Sequence, residues 1–459
     1  MTGVLRRARE ALSGPLLLVV ALTAVLAGFL VGHLVSTDRV VQAGWYLPAS
    51  GLLLAAGLYG STHEIDPRSV RADLRTALFV VTVGVLAKAA VIAAVMMLAF
   101  RKPEYLVLGI TVAQIDPLSV AAMRDNSRMS QRAKSLLAVW AAFDDPMTVL
   151  LSLYFSAFAF HLAGRTGKPA LVPDGGGAAS FATGIGINLA LCAGAVAAWW
   201  AVRWAGERRA AARAGRSAGA VRDGADLAAR GRAADIAAVV IVLALLVIAA
   251  MTMLMLAVAL TGLLVRVGRF RAWVDRAVTA AFLLAAAGLG VLLVGGVSPL
   301  KGVVLGVAAF GAQAVVALLT VPRMLPDLPR DDKVFLALGQ QNGITAIILA
   351  LALEPDFPGT VGVVGPAVLT VAVLYYAANG LAARRLRDRA RASEVSETSE
   401  ASEVSDASEA AGTAGTAEEP AAAHVHDPDL SGDADGLRPR HLVGLRRHSS
   451  GGHPEWSRW

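Results

Sequence analysis

Long apolar runs, separated by short polar or basic segments, dominate the first 385 residues of the chain. Many runs are about 20 residues long, which is the length of an α-helix that crosses the hydrocarbon core of a bilayer. The pattern predicts an all-α polytopic membrane protein with about twelve spans. We place the spans near residues 14–35, 44–60, 76–100, 105–123, 134–160, 180–204, 234–250, 251–266, 277–294, 300–320, 333–353 and 360–382.

Basic residues give these spans an orientation. With both termini in the cytoplasm, most Lys and Arg side chains of the loops fall on the cytoplasmic side, as the positive-inside rule requires. Residues 234–266 would form one helix of about 49 Å, longer than the bilayer core, so we divide them into two spans. A single span would also place several arginines outside, namely Arg266, Arg269, Arg271 and Arg276. The net charge of +7 is therefore a topology signal, and we expect no nucleic-acid partner.

Composition divides the chain into four expected parts. Residues 1–204 form a first transmembrane half, 205–233 a basic cytoplasmic linker, 234–385 a second transmembrane half, and 386–459 a cytoplasmic tail. The tail contains a nine-residue tandem repeat, ASEVSETSE followed by ASEVSDASE. Because these residues are too polar to bury a core, we expect the tail to be disordered. Its scattered histidines have no metal-binding spacing, and we expect them to bind no metal.

Two adjacent aspartates, Asp144 and Asp145, lie about ten residues inside the fifth predicted span. A carboxylate at the bilayer centre costs about 2.5–3.5 kcal/mol, so both must face protein or water, and we expect them to bind a ligand. Neighbouring side chains on a helix point about 100° apart. We therefore expect one aspartate to contact a cation directly while the other holds a proton or a counter-charge, and we choose Asp145 as the direct ligand.

Prolines and glycines predict breaks in several spans. Pro117 and Pro146 cannot donate to the carbonyls of Ala113 and Ala142, and carbonyls freed beside carboxylates suit a hard cation. The eleventh span is interrupted by five polar or flexible residues: Gly339, Gln340, Gln341, Asn342 and Gly343. With twelve spans, spans three to five and ten to twelve run in opposite directions. This is the inverted-repeat arrangement in which two broken helices, spans four and eleven, cross at the midplane.

Lys88 is a further charge in the middle of a span, about twelve residues from each end of the third. Its ammonium would have to reach about 18 Å to meet water, farther than the side chain extends, so we expect it to pair with a carboxylate. The chain has no Walker motif, so an ion gradient must supply the energy for any transport. We expect no cofactor.

Together, the Asp144–Asp145 pair, the Asp116–Pro117 break and the Gly-rich break of span eleven resemble the monovalent cation:proton antiporters, the sodium/proton exchanger superfamily. The twelve-span count resembles its NhaA-type members, and the resemblance covers about residues 14–385. It implies a plasma-membrane protein that forms homodimers, with the ion and proton site at Asp144 and Asp145. Asp116 then matches the Asp of the Thr-Asp-Pro motif, and adjacent aspartates imply electrogenic exchange.

The chain departs from the family pattern at three places. Ile115 stands where the motif has Thr or Ser, the tenth span lacks its basic residue, and Gln341–Asn342 replaces Arg-Gly on span eleven. The last feature is similar to the bile-acid/sodium symporter family, which shares the fold.

Three functions therefore stay open on the sequence alone. The first is antiport of Na⁺, or of Li⁺ or K⁺, against H⁺ by competition at one carboxylate site. The second is sodium-coupled uptake of an organic anion, which the Gln-Asn break favours. The third is an intramembrane aspartyl protease with Asp116 and one aspartate of the pair as its dyad, although the Gly-x-Gly-Asp signature of those enzymes is absent.

Overall fold

The computed structural model describes residues 15–63, 79–116, 129–166, 169, 178–214, 224–265 and 270–413. This part of the chain is helical and contains no β-strand. A π-helical turn, Val80–Gly84, leads into the fourth helix. The helices are α1 (Pro15–Gly32), α2 (Thr37–Gln42), α3 (Tyr46–His63), α4 (Val85–Phe100), α5 (Tyr105–Thr111), α6 (Gln131–Leu162), α7 (Ala178–Ala214), α8 (Gly224–Thr252), α9 (Met255–Leu264), α10 (Arg271–Leu293), α11 (Pro299–Met324), α12 (Arg330–Ala337), α13 (Ile344–Leu353) and α14 (Thr360–Thr413).

Seven stretches within the described residues are long and apolar enough to cross a membrane. They are Thr82–Phe100, Gln131–Leu162, Ala182–Gly206, Asp235–Thr252, Arg271–Leu293, Pro299–Met324 and Thr360–Arg389, and Val19–Gly32 and Met255–Leu264 are shorter apolar helices. Every predicted span coincides with at least part of a described helix. The number of crossings stays a prediction.

The stretch that we divided into two spans is two helices in the structure. Helix α8 ends at Thr252 and α9 begins at Met255. Between them Met253 has a φ of 57°, in the left-handed region, which a continuous right-handed helix does not contain. The side-chain oxygen of Asn188, on α7, accepts a hydrogen bond of 2.9 Å from the backbone N–H of Ala257. One of the amides left without a partner at the start of α9 is thereby satisfied.

Helices continue into the two segments that we expected to be a linker and a disordered tail. Residues 205–214 extend α7 and residues 224–233 begin α8, while α14 runs through the tandem repeat to Thr413. The structure differs here from the expected disorder of residues 386–413. Ala and Glu, abundant in the repeat, are strong helix formers, and a helix already nucleated in a span extends at low cost. Residues 390–459 form a unit separate from residues 1–389, and 414–459, with all five tail histidines, lie outside the described residues.

Helices α1 and α10 approach each other closely through glycines. A Cβ atom on Gly28 would meet the backbone of Ala287, and one on Gly290 would meet the backbone of Val25. Small residues at such contacts let two membrane helices pack backbone to backbone.

Helix α6 is the most deeply buried of the apolar helices. Of its most apolar 18-residue window, 82% is buried inside the protein, against 11–50% for the other six candidate spans. It packs against α3, α4, α5, α9 and α12. The side chains of α6 are therefore at the centre of the helical bundle, and Asp144 and Asp145 are among them.

Candidate functional site

The two aspartates of α6 are almost fully enclosed. Asp144 has no exposed surface and Asp145 is 1% exposed. The helix is continuous across them even though Pro146 lies inside it. The carbonyl of Ala142 belongs to this helix, and the side chain of Ala142 lies outside the described residues.

Asp144 is held by a buried cation from another helix. Its Oδ2 atom lies 2.5 Å from the ammonium nitrogen of Lys88, on α4, and accepts a second hydrogen bond, of 3.1 Å, from the backbone N–H of Ile115. The Lys88 ammonium also lies 5.4 Å from the centre of the Trp140 ring, within range of a cation–π interaction. Asp144 thus ties together α4, α6 and the segment that follows α5, and Lys88 balances its charge.

Asp145 has different surroundings. Its Oδ2 atom accepts a hydrogen bond of 2.8 Å from the hydroxyl of Thr345, in the first turn of α13. Its Oδ1 atom has no hydrogen-bond partner among the described residues. Because Lys88 is already bound to Asp144, an ionised Asp145 suits a cation or a proton as its own ligand.

Two non-helical segments meet beside these carboxylates. Helix α5 ends at Thr111, and residues 112–116 continue without helical structure; residues 338–343 separate α12 from α13. The backbone N–H of Asp116 donates to the carbonyl of Gln341 over 2.7 Å. Polar backbone at membrane depth is tolerated where protein encloses it, and each segment supplies partners to the other.

Side-chain amides reinforce this contact. The Nε2 atom of Gln340 donates to the carbonyls of Val112 and Gln114, at 3.2 and 2.8 Å. The Nδ2 atom of Asn342 donates to the same two carbonyls, at 2.9 and 3.3 Å. Gln340 also donates to the side-chain oxygen of Asn342. Both amides thus act as structural bridges between the two non-helical segments.

Asp116 lies in the interior at this meeting point, with 4% of its surface exposed. A Cβ atom on Gly343 would run into the Asp116 carboxyl group, so a glycine is required for the two segments to approach this closely. Pro117, the predicted cause of the break, lies outside the described residues, whereas Ala113 is buried in the non-helical segment.

The structure thus brings Asp144, Asp145, Lys88 and Asn342 to one region, with Gln341 contributing its backbone carbonyl. Sequence reasoning missed the contributions of Thr345 and of the Gln340 side chain. The position of Thr345 could have revealed it, because a hydroxyl two residues after the Gly-rich break lies on the first turn of the helix that follows.

A metal site built from several charged ligands is not present in the described part of the chain, where no three His, Cys, Asp or Glu side chains cluster closely enough to hold a metal ion.

Comparisons with known proteins point to one group of transporters. Residues 2–214 match the family profile described as sodium/hydrogen exchanger, transmembrane, which is less than half of the 459-residue chain. A structure of the sodium proton antiporter MjNhaP1 from Methanocaldococcus jannaschii at pH 8 matches with a TM-score of 0.52 and 14% identity, over 82% of this chain and 92% of that one. An electron-microscopy structure of the same antiporter matches with a TM-score of 0.53 and 15% identity, over 84% and 94%. No curated protein gives a match by sequence.

At these identities the structural likeness establishes the fold alone, which this chain shares with MjNhaP1. The chain is a multi-pass membrane protein. The expected likeness to NhaA-type members stays a prediction, because the two matching structures named above are of MjNhaP1.

Proposed function

We propose that the chain is a secondary active antiporter that exchanges a monovalent cation for H⁺ at Asp145, with Na⁺ as the first candidate and Li⁺ or K⁺ as alternatives. The observation that carries the proposal is the contrast within the pair: Lys88 neutralises Asp144, whereas Asp145 keeps one oxygen without a partner among the described residues. The sodium/hydrogen exchanger match and the antiporter fold support it.

Competition at one carboxylate couples the two fluxes. An ionised, empty carboxylate in a buried site carries a large desolvation penalty, which either a proton or a dehydrated cation removes. The two ligands exclude each other because they neutralise the same group. If only the neutralised site passes between the two sides of the membrane, every cation moved in one direction requires protons in the other. We further propose that the exchange is electrogenic, with Asp144 and Asp116 contributing to the charge of the site.

The same fold supports a topology proposal. We propose twelve spans in inverted repeats, with both termini cytoplasmic, in a homodimer in the plasma membrane. The hydrogen bonds between residues 112–116 and residues 338–343 support the crossing of two broken helices near the midplane.

The two alternative functions have less support. The Gln341–Asn342 break suggested a site for an organic anion, but the side-chain amide of Asn342 donates to the backbone carbonyls of Val112 and Gln114 instead. In an aspartyl protease two carboxylates share one water molecule. Here the Oδ2 atom of Asp145 accepts its hydrogen bond from the hydroxyl of Thr345 instead. We propose a transporter and not an enzyme.

Proton flux in proteoliposomes without any organic solute tests the proposal. A step of Na⁺, Li⁺ or K⁺ should move protons through the wild-type protein, and current on a solid-supported membrane should reveal net charge transfer. Asp145→Asn should abolish the flux and leave expression and folding near normal, because removing a buried charge relieves a cost of insertion. Asp327→Asn, at an exposed position between α11 and α12, is the matched control and should transport normally. Wild-type rates in Asp145→Asn would overturn the assignment, and flux that needs an organic anion would favour the symporter.

A further inference from the structure

Three polar residues of α6 lie along one face of the helix. Asp145, Thr148 and Ser152 are separated by three and four residues, the spacing that stacks side chains on one side of an α-helix. At 1.5 Å per residue, Ser152 lies about 10 Å from Asp145 towards the C-terminal end of α6. Thr148 and Ser152 have no exposed surface.

Their hydroxyls lack the partner that a helix ordinarily provides. Ser and Thr inside a helix commonly donate to a carbonyl three or four residues earlier. Ser156, the next hydroxyl on α6, does so, with a hydrogen bond of 2.8 Å to the carbonyl of Leu153. The hydroxyls of Thr148 and Ser152, like the Oδ1 atom of Asp145, have no hydrogen-bond partner among the described residues.

A buried hydroxyl that gives up its hydrogen bonds to water without replacing them destabilises the fold. A partner from outside the protein, either water or an ion, therefore explains the two hydroxyls of α6, Thr148 and Ser152.

We propose that Thr148 and Ser152 line a polar passage along α6, through which water and the exchanged cation reach Asp145 from the side where α6 ends. Their oxygens would replace part of the hydration shell of the moving ion, as neutral oxygens do for hard cations. This inference rests on the proposed function and deepens it, because it assigns residues and a side of the membrane to ion entry.

An isosteric substitution separates a wet passage from a dry interior. Thr148→Val keeps the shape and removes the hydroxyl. In a dry interior, replacing a hydroxyl that has no partner by a methyl group is neutral or stabilising and leaves transport unchanged. In a polar passage, Thr148→Val and Ser152→Ala should each lower cation-driven proton flux at subsaturating cation by at least about tenfold. Thr148→Ser should restore most of it.

Thr320→Val is the matched control, because the Thr320 hydroxyl, on α11, already donates to the carbonyl of Val316 within its own helix, and it should exchange at the wild-type rate. A second measurement is independent of transport. In a Cys192→Ser background, Ser152→Cys should react with a small charged thiosulfonate reagent, and Na⁺ should slow the reaction. Wild-type flux in Thr148→Val together with no labelling of Ser152→Cys would overturn the passage. Absence of cation-driven proton flux in the wild-type protein would instead overturn the proposed function.

Discussion

Asp144 and Asp145 share a peptide bond but face different partners, because successive helical side chains point about 100° apart. One contacts the ammonium of Lys88, and the other contacts the hydroxyl of Thr345. Under the proposed function this difference separates two tasks. Asp144 fixes charge and geometry, while Asp145 exchanges its ligand.

Replacing Lys88 tests the first task. Lys88→Met fills a similar volume and leaves Asp144 buried without its cation, which should lower the stability by about 3–5 kcal/mol. The pH profile of transport should also move to higher pH. The sign follows from the pair. The lost ammonium stabilised ionised Asp144, so without it the protonated form of Asp144 becomes the more stable one and releases its proton only at a higher pH. Thermal melting and flux across a pH series measure both effects.

The control removes both charges. Lys88→Met combined with Asp144→Leu leaves no buried charge without a partner and should recover most of the lost stability, because a buried ion pair replaced by apolar groups is often neutral. It should not recover normal transport. An unchanged melting temperature and pH profile in Lys88→Met would mean that the Lys88–Asp144 pair neither stabilises the protein nor sets the pH dependence of transport.

The sequence identifies the buried charged residues of the site, but it does not identify their partners. Asp144, Asp145 and Lys88 stand out because a charge inside an apolar run requires an explanation wherever its partner lies. The identity of the partner is a different matter, because Thr345 is 200 residues from Asp145 along the chain. Only the packing of α13 against the rest of the bundle decides that its hydroxyl points at this carboxylate.

At the scale of elements, the two non-helical segments behave as one unit. Their backbones are joined directly and through the amides of Gln340 and Asn342, and Gly343 leaves room for the carboxyl group of Asp116. A side chain at residue 343 would force the segments apart where the proposed cation site lies.

Gly343→Ala should therefore reduce exchange strongly, by about tenfold or more, because its Cβ would displace Asp116, and it should cost about 1–3 kcal/mol of stability. Exchange rates and the cation KM in proteoliposomes measure the first effect, and thermal melting the second. Gly311→Ala, on α11, is the control. A Cβ there meets nothing within 4 Å, so alanine should stabilise the helix by about 0.5–1 kcal/mol and leave exchange unchanged. If Gly343→Ala matched Gly311→Ala in exchange rate and in stability, glycine would not be required at residue 343.

Local sequence patterns predicted some helix boundaries correctly and missed others. Gly-rich and polar residues correctly predicted the interruption between α12 and α13, because flexible residues with amide side chains do not continue an apolar helix. Pro146, by contrast, lies inside a continuous α6, since enclosure by neighbouring helices compensates for one lost hydrogen bond. The polar repeat after α14's apolar part was expected to lack structure and is helical to Thr413, because helix propensity does not require a core.

At the scale of the whole molecule, apolar run length predicts the class of fold well, because bilayer thickness fixes how long a span must be. It does not count the crossings. Some helices are too short to be recognised as spans by length, such as α9 with ten residues and the interrupted pair α12 and α13. Whether they cross the membrane is decided by finding on which side their ends lie.

Helix α11 offers a test of sidedness, because it runs 26 residues without interruption, about 39 Å. Exposed residues lie on either side of it, Val297 before it and Asp327 after it. We expect its start outside and its end inside, since Arg323 lies in its last turn and Arg330 and Lys333 follow it, whereas Lys301 alone lies at its start. In a Cys192→Ser background, a membrane-impermeant maleimide should label Val297→Cys in intact cells. Asp327→Cys should react only after permeabilisation. Labelling in the reverse order would invert the proposed topology and place the polar passage along α6 on the cytoplasmic side.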